Sequence, residues 1–164
     1  MNKGKLYRQA LAEMESAAPD IARAHELLKM AVDKGDVYAA YALATWHLFG
    51  QAPVLRRNAR RAVPLLQIAA EAGMALAEFD LAVCFEKGAG IHQDQRMAAK
   101  LYLRAALHGD AGAHYEVGRC YHFGIGFARD EEASEIWLDR AKALGVEAEP
   151  DVELSKPRRR SRPK

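Results

Sequence analysis

Two cysteines and six histidines are the residues of this chain best suited to bind a metal or attack a substrate. His114, Cys120 and His122 form the tightest group, but they lack the i, i+4 spacing that aims two ligands from one helix face at zinc. Cys84 and Cys120 stand 36 residues apart. On stacked helices about 8–10 Å apart they would exceed the Cα separation of about 7 Å that a disulfide tolerates. The remaining histidines, His25, His47, His92 and His108, are scattered and read as packing or surface residues. Gly88-Ala-Gly90 and Gly124-Ile-Gly126 follow no strand pattern, so they read as turns rather than phosphate cradles. No serine sits in a nucleophile-elbow setting. Glu131 and Glu132 fall in the first turn of a helix, where the helix dipole favours them. The sequence therefore predicts no enzyme, no cofactor and no metal.

Charge is the second source of chemistry. The 164 residues carry 24 Lys and Arg against 22 Asp and Glu. Six of those bases lie in 156–164, Lys-Pro-Arg-Arg-Arg-Ser-Arg-Pro-Lys, which has no acid. Four acids and no base occupy 146–155, so residues 1–145 hold 18 of each sign and are neutral. A neutral body argues against a duplex-binding groove, because phosphate contacts need clustered cations. An anionic partner would have to meet the tail, through Arg158, Arg159, Arg160 and Arg162. The tail, 146–164, lacks apolar anchors in its basic half and is expected to be disordered. Its acidic and basic halves could also fold back on each other. Arg56, Arg57, Arg60 and Arg61 form a second basic group, which reads as solvated surface. No apolar run reaches the roughly 18–20 residues that span a bilayer, no signal peptide is visible, and two cysteines fit a reducing cytoplasm.

The elements that position these residues emerge from a repeat. Gly35, Gly73, Gly109 and Gly145 are 38, 36 and 36 residues apart. Four residues before each stands Ala31, Ala69, Ala105 or Ala141, and seven before those Ala24, Ala62, Ala98 or Ser134. Asp20, Asn58, Asp94 and Asp130 come four residues earlier still and read as N-caps. Each cap predicts a helix of about fourteen residues that stops at the glycine, which takes the left-handed terminal conformation easily. A second helix follows, with Ala39, Ala77 and Ala113, then Leu43, Leu81 and Val117, then His47, Phe85 and Tyr121 on one face. Gly50, Gly88 and Gly124 end it. The first unit is shorter, with helices expected near 4–17 and 20–34. Pro64 disagrees, since an interior proline costs about 3 kcal/mol; either that helix kinks or it starts nearer Val63. Alanine, 32 residues in all, suits closely packed helices. The prediction is an all-α solenoid of about four stacked antiparallel helix pairs. Its units are 1–35, 36–73, 74–109 and 110–145.

The run Gly-Asp-Ala-Gly-Ala-His-Tyr-Glu-Val-Gly at 109–118, followed by Tyr121, Gly124, Gly126, Asp130, Trp137, Ala141 and Gly145, resembles the Sel-one-like repeat. The two preceding copies match less fully: Leu65 and Leu101 replace Trp137, and Ala44 and Ala82 replace Gly118. Tetratricopeptide arrays are similar, but their period of about 34 does not fit these intervals. The resemblance covers roughly 20–145 and implies a curved scaffold that brings proteins together, with no shared reaction. Some secreted members have two cysteines in each repeat and are described as penicillin-binding; this chain lacks that pairing, so the activity is not carried over.

Helical geometry places a partner site without the family. Positions three, six, ten and thirteen after each glycine lie opposite the paired helix and should line the concave surface. They are Tyr38, Tyr41, Thr45 and Leu48, then Leu76, Phe79, Val83 and Glu86, then Gly112, Tyr115, Arg119 and His122. Aromatics and Arg anchor interfaces, yet Tyr41, Phe79 and Tyr115, repeated at one register, could equally be framework. Tyr38, Thr45 and Arg119 vary among copies, which favours a contact role. The expected function is an adaptor holding a partner protein's peptide or helix in this groove. A nucleic-acid-associated regulator using the tail is the alternative.

Overall fold

The structure, a computed structural model, describes residues 4–146. The charged tail, including Arg158, Arg159, Arg160 and Arg162, lies outside the described residues. Eight α-helices follow one another: α1 Lys5–Glu15, α2 Ile21–Asp33, α3 Val37–Phe49, α4 Ala59–Glu71, α5 Ala75–Lys87, α6 Gln95–Leu107, α7 Ala111–Phe123 and α8 Glu131–Ala143. No strand interrupts them among the described residues; a lone bridge between Gln51 and Leu55 closes the long loop after α3. Each helix packs chiefly on the one before it and the one after it. The chain therefore zigzags between two layers, odd-numbered helices in one and even-numbered in the other.

The expected caps hold the even helices. Asp20, Asn58, Asp94 and Asp130 accept hydrogen bonds from backbone amides of the first turns of α2, α4, α6 and α8, which satisfies donors with no partner inside the helix. At their ends Gly35, Gly73, Gly109 and Gly145 all adopt positive φ. Pro64 does not delay α4, which begins at Ala59 on the Asn58 cap and runs through the proline. That start excludes one near Val63, and the proline side chain is exposed.

The repeated alanines are the close-contact points. Ala24, Ala62, Ala98 and Ser134 are at most 1% exposed, and Ala31, Ala69, Ala105 and Ala141 at most 2%. Ser134 fits because its hydroxyl donates to the Gly118 carbonyl at 2.9 Å. Gly118 in turn admits Leu138: a Cβ there would lie 2.7 Å from Leu138 Cγ. The core runs from α3 to α7 around Leu66, Leu81, Tyr102 and Val117, and a smaller cluster around Leu28 and Trp46 joins α1 and α2 to α3. The Gly-x-Gly turns are structural: a Cβ on Gly126 would sit 2.7 Å from Ala99 Cβ, so the turn before α8 lies directly on α6.

Candidate functional site

The odd-helix layer has one side packed on the even helices and one side that no further element covers among the described residues. Ala39, Leu43, Ala77, Leu81, Ala113 and Val117 point inward and are buried. Tyr41, Val83 and Tyr115 are half-buried, and Phe79, also half-buried, meets Tyr102 of α6. Helical spacing accounts for the buried positions four and eight residues after each glycine.

Several of these side chains are tied to one another across the repeats. Tyr41 donates its hydroxyl to Asp80 Oδ2 on α5 at 3.1 Å. Burial, then the neighbouring charge of Asp80, holds that phenol well above its ordinary range. Asp80 is raised as well: burial dominates, the Tyr41 hydrogen bond opposes it, and Asp110 adds repulsion. The Phe79 ring meets Tyr102 edge-on at 5.3 Å. Tyr102, 1% exposed, donates to Glu86 Oε2 at 2.8 Å. Arg119 reaches back from α7 to Glu86 Oε1 at 2.5 Å and to Glu116 Oε2 at 2.7 Å. Burial would lower that guanidinium's pKa, but Glu116 and Glu86 outweigh it and raise it.

The remaining predicted positions are placed as follows. Tyr38 lies half-buried against the Tyr7 ring, centroids 6.0 Å apart. Thr45 donates its hydroxyl to the Ala42 carbonyl of its own helix at 2.7 Å. Leu76 is 54% exposed. His122 lies 3.3 Å from Glu131 Oε1 and stacks edge-on against Phe123. Arg119, which varies among copies, joins two neighbouring repeats through Glu86. Its charge is engaged within the fold.

Three carboxylates on this surface carry no signal in the repeat register used above. Asp36 and Asp110 cap α3 and α7, and Asp80 faces Tyr41. At the matching place before α5 stands Met74, which makes no side-chain cap bond. In that same first turn Glu78 is 0% exposed. His108 Nδ1 is 2.7 Å from its Oε2, and Arg104 Nη2 is 2.6 Å from its Oε1. The Arg104 nitrogen aims its hydrogen bond at the Ala70 carbonyl, 3.0 Å away, and leaves Oε1 with ion pairing alone. The absence of the Met74 cap is the one sequence sign of this substitution.

No group of three metal-ligating side chains converges among the described residues. His114 hydrogen-bonds the Asp110 carbonyl at 2.9 Å and packs on Trp137. Cys84 and Cys120 are free and buried; burial pushes their thiols up to about 11 and about 12, which removes the thiolate that nucleophilic chemistry needs. A cleft of about 560 Å³ opens where α1 starts, lined by Gly4, Leu6, Gln9, Lys34, Asp36 and Tyr38. No helix among the described residues is long and apolar enough to cross a membrane.

Comparison with known proteins agrees with this architecture. Among solved structures, the protective antigen c5321 of uropathogenic Escherichia coli, displaying an SLR fold, superposes with TM-score 0.80 at 22% identity. That match covers 85% of this chain and 30% of the antigen, so this chain spans under a third of its length. A Sel1 repeat protein from Oxalobacter formigenes gives 0.68 at 29% identity over 73% of this chain and 90% of that one. Cysteine-rich protein B of Helicobacter pylori gives 0.57 at 21% identity over 74% and 90%. No curated protein matches the sequence. Four consecutive Sel1 repeats are recognised, at residues 5–36, 37–74, 75–110 and 111–146. The chain, an α-solenoid throughout its described length, belongs to the Sel1 repeat family.

Proposed function

We propose that this protein is a scaffold whose odd-helix face holds a segment of a partner protein. Sel1 repeat proteins generally act as scaffolds for protein interaction and generally carry no enzymatic activity. The observation that carries the reading here is the half-exposed aromatics Tyr41, Phe79 and Tyr115, recurring on α3, α5 and α7 beside exposed Leu76. Half-exposed aromatics provide large contact area with little side-chain entropy to lose, which suits an anchor surface. Tyr38, Val83, Glu86 and His122 extend the same face, whereas Thr45 and Arg119 hold it in shape. A reducing cytoplasm is the compartment that suits the free Cys84 and Cys120 thiols.

The test is affinity capture from the native organism, read by mass spectrometry, with the parent chain and with Leu76→Asp. Leu76 is exposed, so the substitution should move the melting temperature by no more than about 2 °C. Loss of the captured partner with the fold intact supports the odd-helix face. Full retention of the partner by Leu76→Asp together with Tyr115→Ala places the contact elsewhere.

A further inference from the structure

We propose that the basic segment Lys156–Lys164 of this same chain docks along the odd-helix face between α5 and α7 and competes there with the partner. The idea rests on that face being the partner surface, and three observations name the occupant. The first is where the described chain ends. Val146 donates its amide to the Ala141 carbonyl at 3.0 Å. Asp36, Met74 and Asp110 make the same bond to Ala31, Ala69 and Ala105, and each immediately precedes an odd helix. Val146 therefore stands where a fifth odd helix would begin, at the edge of the face in question and beside α7.

The second is reach. Residues 147–155 can span about 30 Å when extended. Neighbouring helices lie about 8–10 Å apart, so α7 and then α5 fall within range of the tether. A segment tethered this closely has an effective concentration on the order of millimolar, and weak contacts suffice to seat it.

The third is complementarity. On α5, α7 and its cap the face presents Asp80, Glu86, Asp110 and Glu116, against Arg119 and, at the last turn of α5, Lys87. The segment brings six cations and no acid. Its arginines can stack on Tyr115 while pairing with Asp80 and Asp110, Glu86 and Glu116 being already engaged by Arg119. Pro157 and Pro163 favour the extended form that a long groove accepts.

The experiment uses the full chain with Ser161→Cys carrying a nitroxide spin label, read by paramagnetic broadening of backbone amides. The buried native thiols do not compete for the label. Amides of 79–86 and 112–119 should broaden about threefold more than those of α2 and α4 at about 0.05 M salt, and the excess should vanish near 0.5 M. The effect should be unchanged over a tenfold range of protein concentration. Asp80→Asn with Asp110→Asn keeps both hydrogen-bond acceptors and should weaken it. Broadening that is absent, uniform, or dependent on protein concentration overturns the proposal. So does a label that ignores this face but becomes immobilised on added single-stranded RNA. No partner is needed, so the tail contact can fail while partner capture holds, and the reverse.

Discussion

Arg119 on α7 reaches across one repeat to Glu86 on α5, with 2.5 Å between Nη2 and Oε1. The two side chains are 19% and 24% exposed, so the pair is largely removed from water. Tyr102 contributes a hydrogen bond to the other oxygen of the same carboxylate. A buried charge left without its partner costs more than the pair contributes. Arg119→Met should lower stability by about 2–4 kcal/mol, or roughly 5–12 °C in melting temperature. Combining it with Glu86→Gln should recover part of the loss. Urea denaturation of the two single variants and the double gives the coupling; strictly additive losses would show that the pair does not act as a unit.

Glu78 offers a second case, with a different cost expected for each substitution. It is fully buried at the start of α5, beside Arg104 and His108. Arg104→Ala removes its strongest counter-charge and should cost about 2–4 kcal/mol. Glu78→Met removes the buried charge itself and fills similar space, so it should cost less than Arg104→Ala. Thermal melts of both variants decide the order, and the reverse order would mean that Arg104 matters little to the carboxylate.

Gly126 and Gly145 both have positive φ, +72° and +80°, but only one is crowded. A Cβ on Gly126 would meet Ala99 Cβ at 2.7 Å, whereas nothing lies within 4 Å of one on Gly145. Gly145→Ala should cost about 1 kcal/mol from the backbone alone. Gly126→Ala should cost about 2 kcal/mol more, because the turn must lift off α6. Equal melting temperatures for the two variants would contradict the contact.

Asp80 gives a pH dependence. Its carboxyl is raised in the folded chain by burial, so the folded state holds its proton more tightly than the unfolded chain. Stability from this group therefore falls as pH rises from the ordinary value of 3.8 through the folded value. Asp80→Asn keeps an acceptor for the Tyr41 hydroxyl and cannot ionise. It should be more stable than the parent at pH 7, with the difference disappearing below about pH 4. Chemical denaturation across that range checks the sign; a variant less stable at pH 7 than at pH 4, relative to the parent, reverses it.

The helices, their caps and their stacking order were legible because they depend on local rules. Asp20, Asn58, Asp94 and Asp130 act within one turn of their own backbone, and Gly35, Gly73, Gly109 and Gly145 within one residue. The buried alanines showed themselves by recurring in every copy. Pro64 was ambiguous because it removes one backbone hydrogen bond of α4, and whether packing of the rest of the helix outweighs that loss is not a local property.

What tertiary structure alone decided are pairings between different helices, two of them between copies and one within a copy. Arg119 with Glu86, Tyr41 with Asp80, and Glu78 with Arg104 and His108 join residues 26 to 39 positions apart. Each occurs once, so a search for recurring residues passes over it. A repeat period determines which face a side chain occupies; which partner it finds there depends on the distance between stacked helices, and that distance exists only once the core between them has closed.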